Sequence, residues 1–188
     1  PNMPVTHGET SLHISSIDYI VESDFPLIER KNKPYDEIVD RIGWNISNLI
    51  EDGATVGLHV GRIFNAVADH LKNKKNLGIV THVVSDWAID LINSGAISLD
   101  RSRYNGGLIT ASYCYGSRAL YEYVDRNPIF EFYPIARLSN PFVVQRIQSL
   151  IGIVNVKKID ISGESVAECL KKGLRVLHCD AARIGDPE

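Results

Sequence analysis

The chain has 188 residues, of which 44% are hydrophobic and 23% are charged, and its formal net charge at pH 7 is −3. These values are ordinary for a globular protein, and the length suits one domain with a continuous core. A slightly acidic chain argues against nucleic acid as a partner, because nucleic-acid-binding domains normally carry a basic surface. No apolar run approaches the length of a membrane-spanning helix, so we expect no membrane partner.

Short strands and one long helix are predicted first. Residues 10–21 hold six large apolar side chains, a composition that suits short strands. Pro34 fits the first turn of a helix, after which isoleucine and leucine recur at helical spacing. Gly53 can take the left-handed conformation that ends helices. The pattern therefore predicts a helix over residues 34–52.

Strands and helices then alternate along the chain. The predicted strands are 55–60, 78–84, 108–115, 129–133, 151–156, 158–161 and 174–179. The predicted helices are 65–71, one capped by Ser85 or Asp86 that runs to residue 93, 118–124 capped by Ser117, and a short one opened by Asn140 and Pro141. This alternation indicates an α/β domain with an open, mostly parallel sheet and helices on both faces. Strands 55–60 and 78–84 are continuously apolar, so they are predicted to be interior neighbours.

The turn between the strand at 55–60 and its following helix is the first candidate site. It contains His59, Val60, Gly61, Arg62 and Ile63. Free backbone N–H groups at a helix N-terminus favour a phosphate or diphosphate. Gly61 allows close approach of a ligand, and Arg62 adds a charged donor. The alternative is a tight connection within an ordinary crossover.

His82 is the second candidate, with Asp86 four residues further on. An imidazole can act as a general base near neutral pH. Asp86 is predicted to orient His82 if the turn between them is tight. The alternative is a histidine without a catalytic role.

Other polar and thiol side chains give weaker signals. Four residues at predicted strand ends either bind an adenine or a carboxylate, or simply lie on the rim of the sheet: Tyr113, Tyr115, Arg118 and Arg137. The three cysteines are odd in number and lack metal-ligand spacing, so we infer no metal site and a reduced, cytoplasmic setting. Cys114 lies in an apolar run and is expected to be a buried structural thiol.

Several phrases, in a fixed order, resemble the acetyl-CoA hydrolase/transferase family, which includes the acetate and 4-hydroxybutyrate CoA-transferases. The matching segments are residues 3–10, 13–15, 17–22, 49–55, 74–79, 116–118, 120–121, 127–128, 131–134 and 140–141. The resemblance extends from about residue 1 to residue 165. It implies that the chain is the second domain of such a protein, with residues 1–24 as its leading segment and residues 164–188 as a divergent tail. A preceding domain of the same polypeptide is then expected to be missing, consistent with a start at Pro1.

The resemblance also implies a substrate and a site. Family members move CoA from an acyl-CoA to a small carboxylic acid through a glutamyl-CoA thioester. Residues 59–63 correspond to the CoA-binding loop, although His59 and Phe64 stand where the family has glycine and proline. His82 occupies the position of the nucleophilic glutamate, and an imidazole cannot form that thioester.

Three interpretations therefore remain open. The parent protein is a CoA-transferase or acyl-CoA hydrolase with altered catalytic groups, the domain is a CoA-binding or regulatory module without turnover, or it is a structural or oligomerising relic. In each case we predict that this chain alone does not transfer CoA.

Overall fold

The computed structural model describes residues 3–97 and 108–153. Its strands are β1 (His7–Gly8), β2 (Thr55–Gly57), β3 (Gly78–Val80), β4 (Val83–Val84), β5 (Ile109–Ala111), β6 (Tyr113–Cys114), β7 (Phe130–Phe132) and β8 (Leu150–Gly152). Its helices are α1 (Glu37–Asn48), α2 (Arg62–Leu71), α3 (Trp87–Asn93), α4 (Arg118–Val124), α5 (Ile135–Leu138) and α6 (Pro141–Val144).

Six of the strands form one parallel sheet in the order β1-β7-β5-β3-β2-β8. The predicted α/β class with a mostly parallel sheet is confirmed. The two apolar segments predicted to be neighbours do pair, with Val56 opposite Ile79. Because all six strands run the same way, their carboxyl ends meet along one side of the sheet, which we call the carboxyl edge.

Helices α2, α3 and α4 connect β2, β3, β5 and β7, which lie side by side. Right-handed crossovers place these three helices on one face of the sheet, and α1 packs against α2. The core lies between the sheet and the helices. Its fully buried members include Val56, Ile79, Ile109, Phe130, Val67, Leu71, Leu91 and Leu120.

Helix α1 is shorter than the predicted 34–52. It begins after Asp36, whose carboxylate accepts the N–H of Val39 at 2.9 Å. This N-cap, rather than Pro34, therefore sets the start of the helix. Gly53 does take a left-handed conformation, with φ of 82°, but in the turn after the helix has ended at Asn48.

Two predicted strands are each broken in the middle. Segment 78–84 is split into β3 and β4 by Thr81 and His82, and segment 108–115 is split into β5 and β6 by Ser112. At the break, the carbonyl of His82 accepts N–H groups from both Ser112 and Tyr113, at 3.0 and 3.2 Å. Two residues of one strand thus lie opposite a single residue of the other, and this interrupts the regular hydrogen-bond ladder, as in a β-bulge.

The prediction of strands over residues 10–21 was wrong. In this stretch the described structure has one 3-10 turn, at Ile14–Ser16, and the apolar side chains are exposed, with Val21 at 85%. Their spacing does not alternate, so no single face could pack on the sheet.

Other predicted boundaries also moved. Strand 55–60 ends at Gly57, the helix predicted at 65–71 begins at Arg62, and the strand predicted at 151–156 is β8. The strands predicted at 158–161 and 174–179 lie outside the described residues. None of the described helices combines the length and the apolarity needed to cross a membrane.

Candidate functional site

The carboxyl edge brings together three polar side chains from separate parts of the sequence. His59 follows β2, His82 follows β3, and Ser139 follows α5 after β7. The rings of His59 and His82 lie 5.9 Å apart, and Nε2 of His82 is 3.1 Å from Oγ of Ser139. We call these three residues and the loop of residues 59–63 the histidine edge.

His59 is the half-buried centre of this cluster. Its ring lies edge-on to both His82 and Phe64, whose ring centroid is 5.6 Å away. The indole N–H of Trp87 donates to the His59 carbonyl at 3.0 Å and so fixes the backbone. Burial, followed by the neighbouring His82, lowers the pKa of His59 from 6.5. His59 is therefore mainly neutral at pH 7.

His82 is held in place by the break between β3 and β4. Its carbonyl bonds to the neighbouring strand, and the hydroxyl of the preceding Thr81 donates to the carbonyl of Leu58. Thr81 is 5% exposed, so this bond ties the ends of β2 and β3 together inside the protein. These bonds position the backbone at residue 82, and the His82 ring lies within hydrogen-bond distance of Ser139.

The loop of residues 59–63 leads into the first turn of α2. Gly61 has φ of 151°, which L-residues rarely adopt. Within the described part of the chain, no acceptor pairs with the N–H groups of Arg62, Ile63 or Phe64, as is usual in the first turn of a helix. The Ile63 side chain packs against the core, so it offers only its backbone, whereas Arg62 is exposed.

Asp86 does not have the predicted contact with His82. Its carboxylate accepts the hydroxyl of Ser117 at 2.6 Å and the N–H of Ser117 at 3.0 Å, and no hydrogen bond among the described residues joins it to His82. It ties the start of α3 to the start of α4. Gly116 allows this close approach, because a Cβ there would lie 2.9 Å from Oδ2 of Asp86. Asp86 and Ser117 do occupy the predicted N-cap positions of α3 and α4, but neither side chain makes a capping hydrogen bond to its own helix.

The four residues at the other strand ends lie on the rim. Arg137 pairs with Glu9 and lies 4.0 Å above the ring of Tyr133. Arg118 pairs with Glu122 along α4, and both Tyr113 and Tyr115 are exposed. Each arginine therefore already has a partner. Cys114 is a free, half-buried thiol against the core, and burial raises its pKa.

A cleft of about 510 Å³ opens beside the histidine edge, at the first turns of α2 and α3. Asn65 and Trp87 line it from these helices, together with Tyr35, Asp69 and Asp90. Tyr35 donates to Asp69 at 2.6 Å, and burial raises the pKa of its hydroxyl. Lys72 pairs with both carboxylates, at 2.6 Å to Asp69 and 3.2 Å to Asp90, and Lys33 also lines the cleft.

Sequence reasoning missed Ser139 and the bonds of Thr81 and Ser117. Ser139 lies 57 positions from His82, and only the pairing of β7 with β5 and of β5 with β3 brings them together. The predicted strand end at residue 133 was a usable signal, because any residue shortly after it belongs to the carboxyl edge. The buried hydroxyl of Ser112 was also missed, and it has no hydrogen-bond partner in the described residues.

Comparison with known proteins gives a consistent set of relatives. Residues 116–178 match the acetyl-CoA hydrolase/transferase C-terminal domain. The chain is 37% identical over 169 residues to the 4-hydroxybutyrate coenzyme A transferase of Clostridium kluyveri, covering 90% of this chain and 39% of that protein. It is 34% identical to the succinyl-CoA:cyclohexane-1-carboxylate CoA transferase of Geobacter metallireducens, covering 89% and 38%.

Solved structures agree with these relatives. A 4-hydroxybutyrate CoA-transferase from Porphyromonas gingivalis superposes with a TM-score of 0.75 and 34% identity, covering 80% of this chain and 38% of that one. RipA from Yersinia pestis superposes with a TM-score of 0.74 and 30% identity, covering 80% and 35%. The chain thus spans about two fifths of the length of the curated relatives that it matches.

Proposed function

Because the chain belongs to the acetyl-CoA hydrolase/transferase family, we propose that it is the CoA-binding domain of a protein that acts on acyl-CoA and a small carboxylic acid. The observation that carries this proposal is the loop of residues 59–63 at the carboxyl edge. It combines an unusual glycine conformation, unpaired N–H groups and an exposed arginine. These features suit the CoA diphosphate.

The electrostatics of the histidine edge support an anionic ligand. His59 is mainly neutral and Arg62 is cationic, and the Asp86 carboxylate is already bound by Ser117. A diphosphate at the loop therefore meets backbone donors and one positive charge. The carbonyls of Leu58 and His59 each accept a hydrogen bond, from the Thr81 hydroxyl and the Trp87 indole N–H.

Catalysis by the family route is not expected of this chain alone. We place His82 at the position of the nucleophilic glutamate, and an imidazole cannot form a glutamyl-CoA thioester. The parent protein, with a further domain that completes the acceptor site, is proposed to bring its own carboxylate or to hydrolyse the thioester instead. A general-base role for His82 toward water fits hydrolysis.

A CoA-binding or regulatory module without turnover is the second candidate. It is favoured by the contact of Asp86 with Ser117, because this leaves His82 without an acidic partner among the described residues. A histidine that no carboxylate orients is a weaker base than one in a triad.

Calorimetry with CoA and with pantetheine tests the binding proposal. CoA should bind and pantetheine, which lacks the diphosphate, should bind more weakly. Arg62→Ala should weaken CoA binding by about 1–2 kcal/mol, or roughly 5- to 30-fold, because a charged hydrogen bond is lost. Arg126→Ala is the matched control, since Arg126 is an exposed arginine beyond the end of α4, away from the loop.

Two results would count against this assignment. One is the absence of heat with millimolar CoA, and the other is an equal loss of CoA and pantetheine binding in Arg62→Ala. The catalytic part is tested by intact mass spectrometry after incubation with acetyl-CoA. A covalent CoA adduct on any carboxylate of the chain would refute the statement that the chain alone cannot transfer CoA.

A further inference from the structure

The hydroxyl of Ser139 lies in hydrogen-bond contact with an imidazole at the carboxyl edge. Its Oγ is 3.1 Å from Nε2 of His82, within the 2.6–3.2 Å range expected for a nucleophile and its general base. We propose that Ser139 and His82 form a nucleophile–base dyad that takes the acyl group, rather than CoA, from an acyl thioester. The choice of acyl-CoA as the substrate rests on the proposed function, whereas the reactivity of the dyad does not.

Both partners are held by backbone hydrogen bonds that leave the side chains free. The N–H of Ser139 donates to the carbonyl of Ile135 at 2.8 Å, which closes α5. The next residue, Asn140, caps α6 by accepting the N–H of Phe142 at 2.9 Å. The cap of α6 therefore does not use the Ser139 hydroxyl. His82 is fixed on its side by the two N–H donors from the neighbouring strand.

The dyad needs an imidazole nitrogen that accepts the Ser139 hydroxyl. When Nδ1 of His82 carries the proton, Nε2 accepts the Ser139 hydroxyl. The neighbouring His59 is mainly neutral at pH 7, and the nearby arginine of α5, Arg137, is paired with Glu9 and stacked on Tyr133. Ser139 is exposed, so a thioester carbonyl can reach it from solvent.

The reaction balances without a further cofactor. The Oγ–H proton moves to Nε2 of His82 while Oγ bonds to the thioester carbonyl carbon. Collapse of the tetrahedral intermediate breaks the C–S bond, and the imidazolium returns its proton to the leaving thiolate, giving free CoA and an acyl-serine ester. Water then attacks the ester with His82 as the base, and Oγ takes back a proton as the carboxylic acid leaves.

We expect this turnover to be slow. No hydrogen bond to Nδ1 of His82 is present in the described residues, and removing the acidic member of a serine triad costs about 10⁴-fold in rate. An acyl-serine formed slowly and hydrolysed slowly is best detected as a covalent adduct rather than by turnover.

Mass spectrometry of the full chain tests the dyad in two arms. A fluorophosphonate probe reacts with base-activated serine hydroxyls and releases fluoride, and acetyl-CoA supplies the proposed substrate. We expect peptide mapping to find both the phosphonyl and the acetyl group on Ser139. His82→Ala should slow phosphonylation by about 100-fold or more, because general-base assistance is lost. Ser139→Ala should lose both labels.

Ser94→Ala is the matched control and should be labelled like the unmodified chain. Ser94 is also an exposed serine, but its hydroxyl donates to the carbonyl of Leu91. Absence of phosphonylation at Ser139, or equal labelling of His82→Ala, overturns the dyad. Phosphonylation without acetylation upholds the nucleophile and overturns acyl-CoA as its substrate. A CoA adduct in place of the acetyl group also overturns the proposal, because it indicates the opposite direction of transfer.

Discussion

Gly43→Ala is expected to destabilise the protein although it improves the helix propensity of α1. A Cβ at residue 43 would lie 2.7 Å from both the carbonyl carbon and the Cβ of Ala66, and 2.9 Å from its carbonyl oxygen. Because two of these atoms are backbone, no side-chain rotation relieves the clash. The two helices must separate, and because the contact is with backbone the cost should lie in the upper part of the usual overpacking range, at about 2–3 kcal/mol. Replacing glycine in a helix interior gains only about 1 kcal/mol.

The net effect of Gly43→Ala should be a loss of about 1–2 kcal/mol in the free energy of unfolding, measured by urea denaturation. In a chain of this size that corresponds to about 2–8 °C in melting temperature. Ala66→Gly in the same chain should not recover stability, because the contacts with the backbone of residue 66 remain and glycine inside α2 costs about 1 kcal/mol. If Gly43→Ala is as stable as the unmodified chain, or more stable, then α1 and α2 do not make the contact between Gly43 and Ala66.

Two more predictions concern polar contacts. Asp86→Ala should lower the free energy of unfolding by about 1.5–3 kcal/mol, the range for charged hydrogen bonds. Adding Ser117→Ala should lower it little further, which a double-mutant cycle in urea measures. Additive losses would contradict the contact between the two side chains. The hydrogen bond from Tyr133 to Glu131 raises the pKa of the phenol from 10.0 to about 12. The folded state thus holds this proton more tightly, so its stabilisation is complete below pH 10 and is lost as the pH rises through about 12. Glu131→Gln should bring the ultraviolet titration of Tyr133 back toward 10, and an unchanged titration would contradict this.

The fold was predictable because its strands carry the signal of buried parallel strands. The segments around Val56 and Ile79 are apolar without alternation, and this pattern predicts strands in the interior of the sheet. The helix of residues 37–48 was recognisable from its apolar stripe, but its ends depended on the Asp36 cap. The prediction for residues 10–21 failed because apolar composition leads to a strand only where a neighbouring strand is available for pairing.

The candidate site was predictable only in part. The loop of residues 59–63 and His82 follow strands that the sequence marks clearly, so their place at the carboxyl edge could be expected. The contact of His82 with Ser139 could not, because it joins positions 57 residues apart. The contact of Asp86 with Ser117 was unpredictable for the same reason, since spacing along a chain says nothing about a partner 31 residues away.

The breaks in the two central strands explain how one backbone can carry different chemistry. The interruption at Thr81 and His82 is held by main-chain hydrogen bonds and by the Thr81 hydroxyl, so it does not depend on the side chain at residue 82. Whatever residue stands there is presented at the carboxyl edge, beside the loop of residues 59–63. A carboxylate at that point can form a thioester with CoA, whereas an imidazole cannot. An imidazole can instead act as a general base toward a neighbouring nucleophile. On the function proposed above, the fold would set where an acyl thioester lies, and the side chain at residue 82 would decide which half of that thioester the protein can hold covalently.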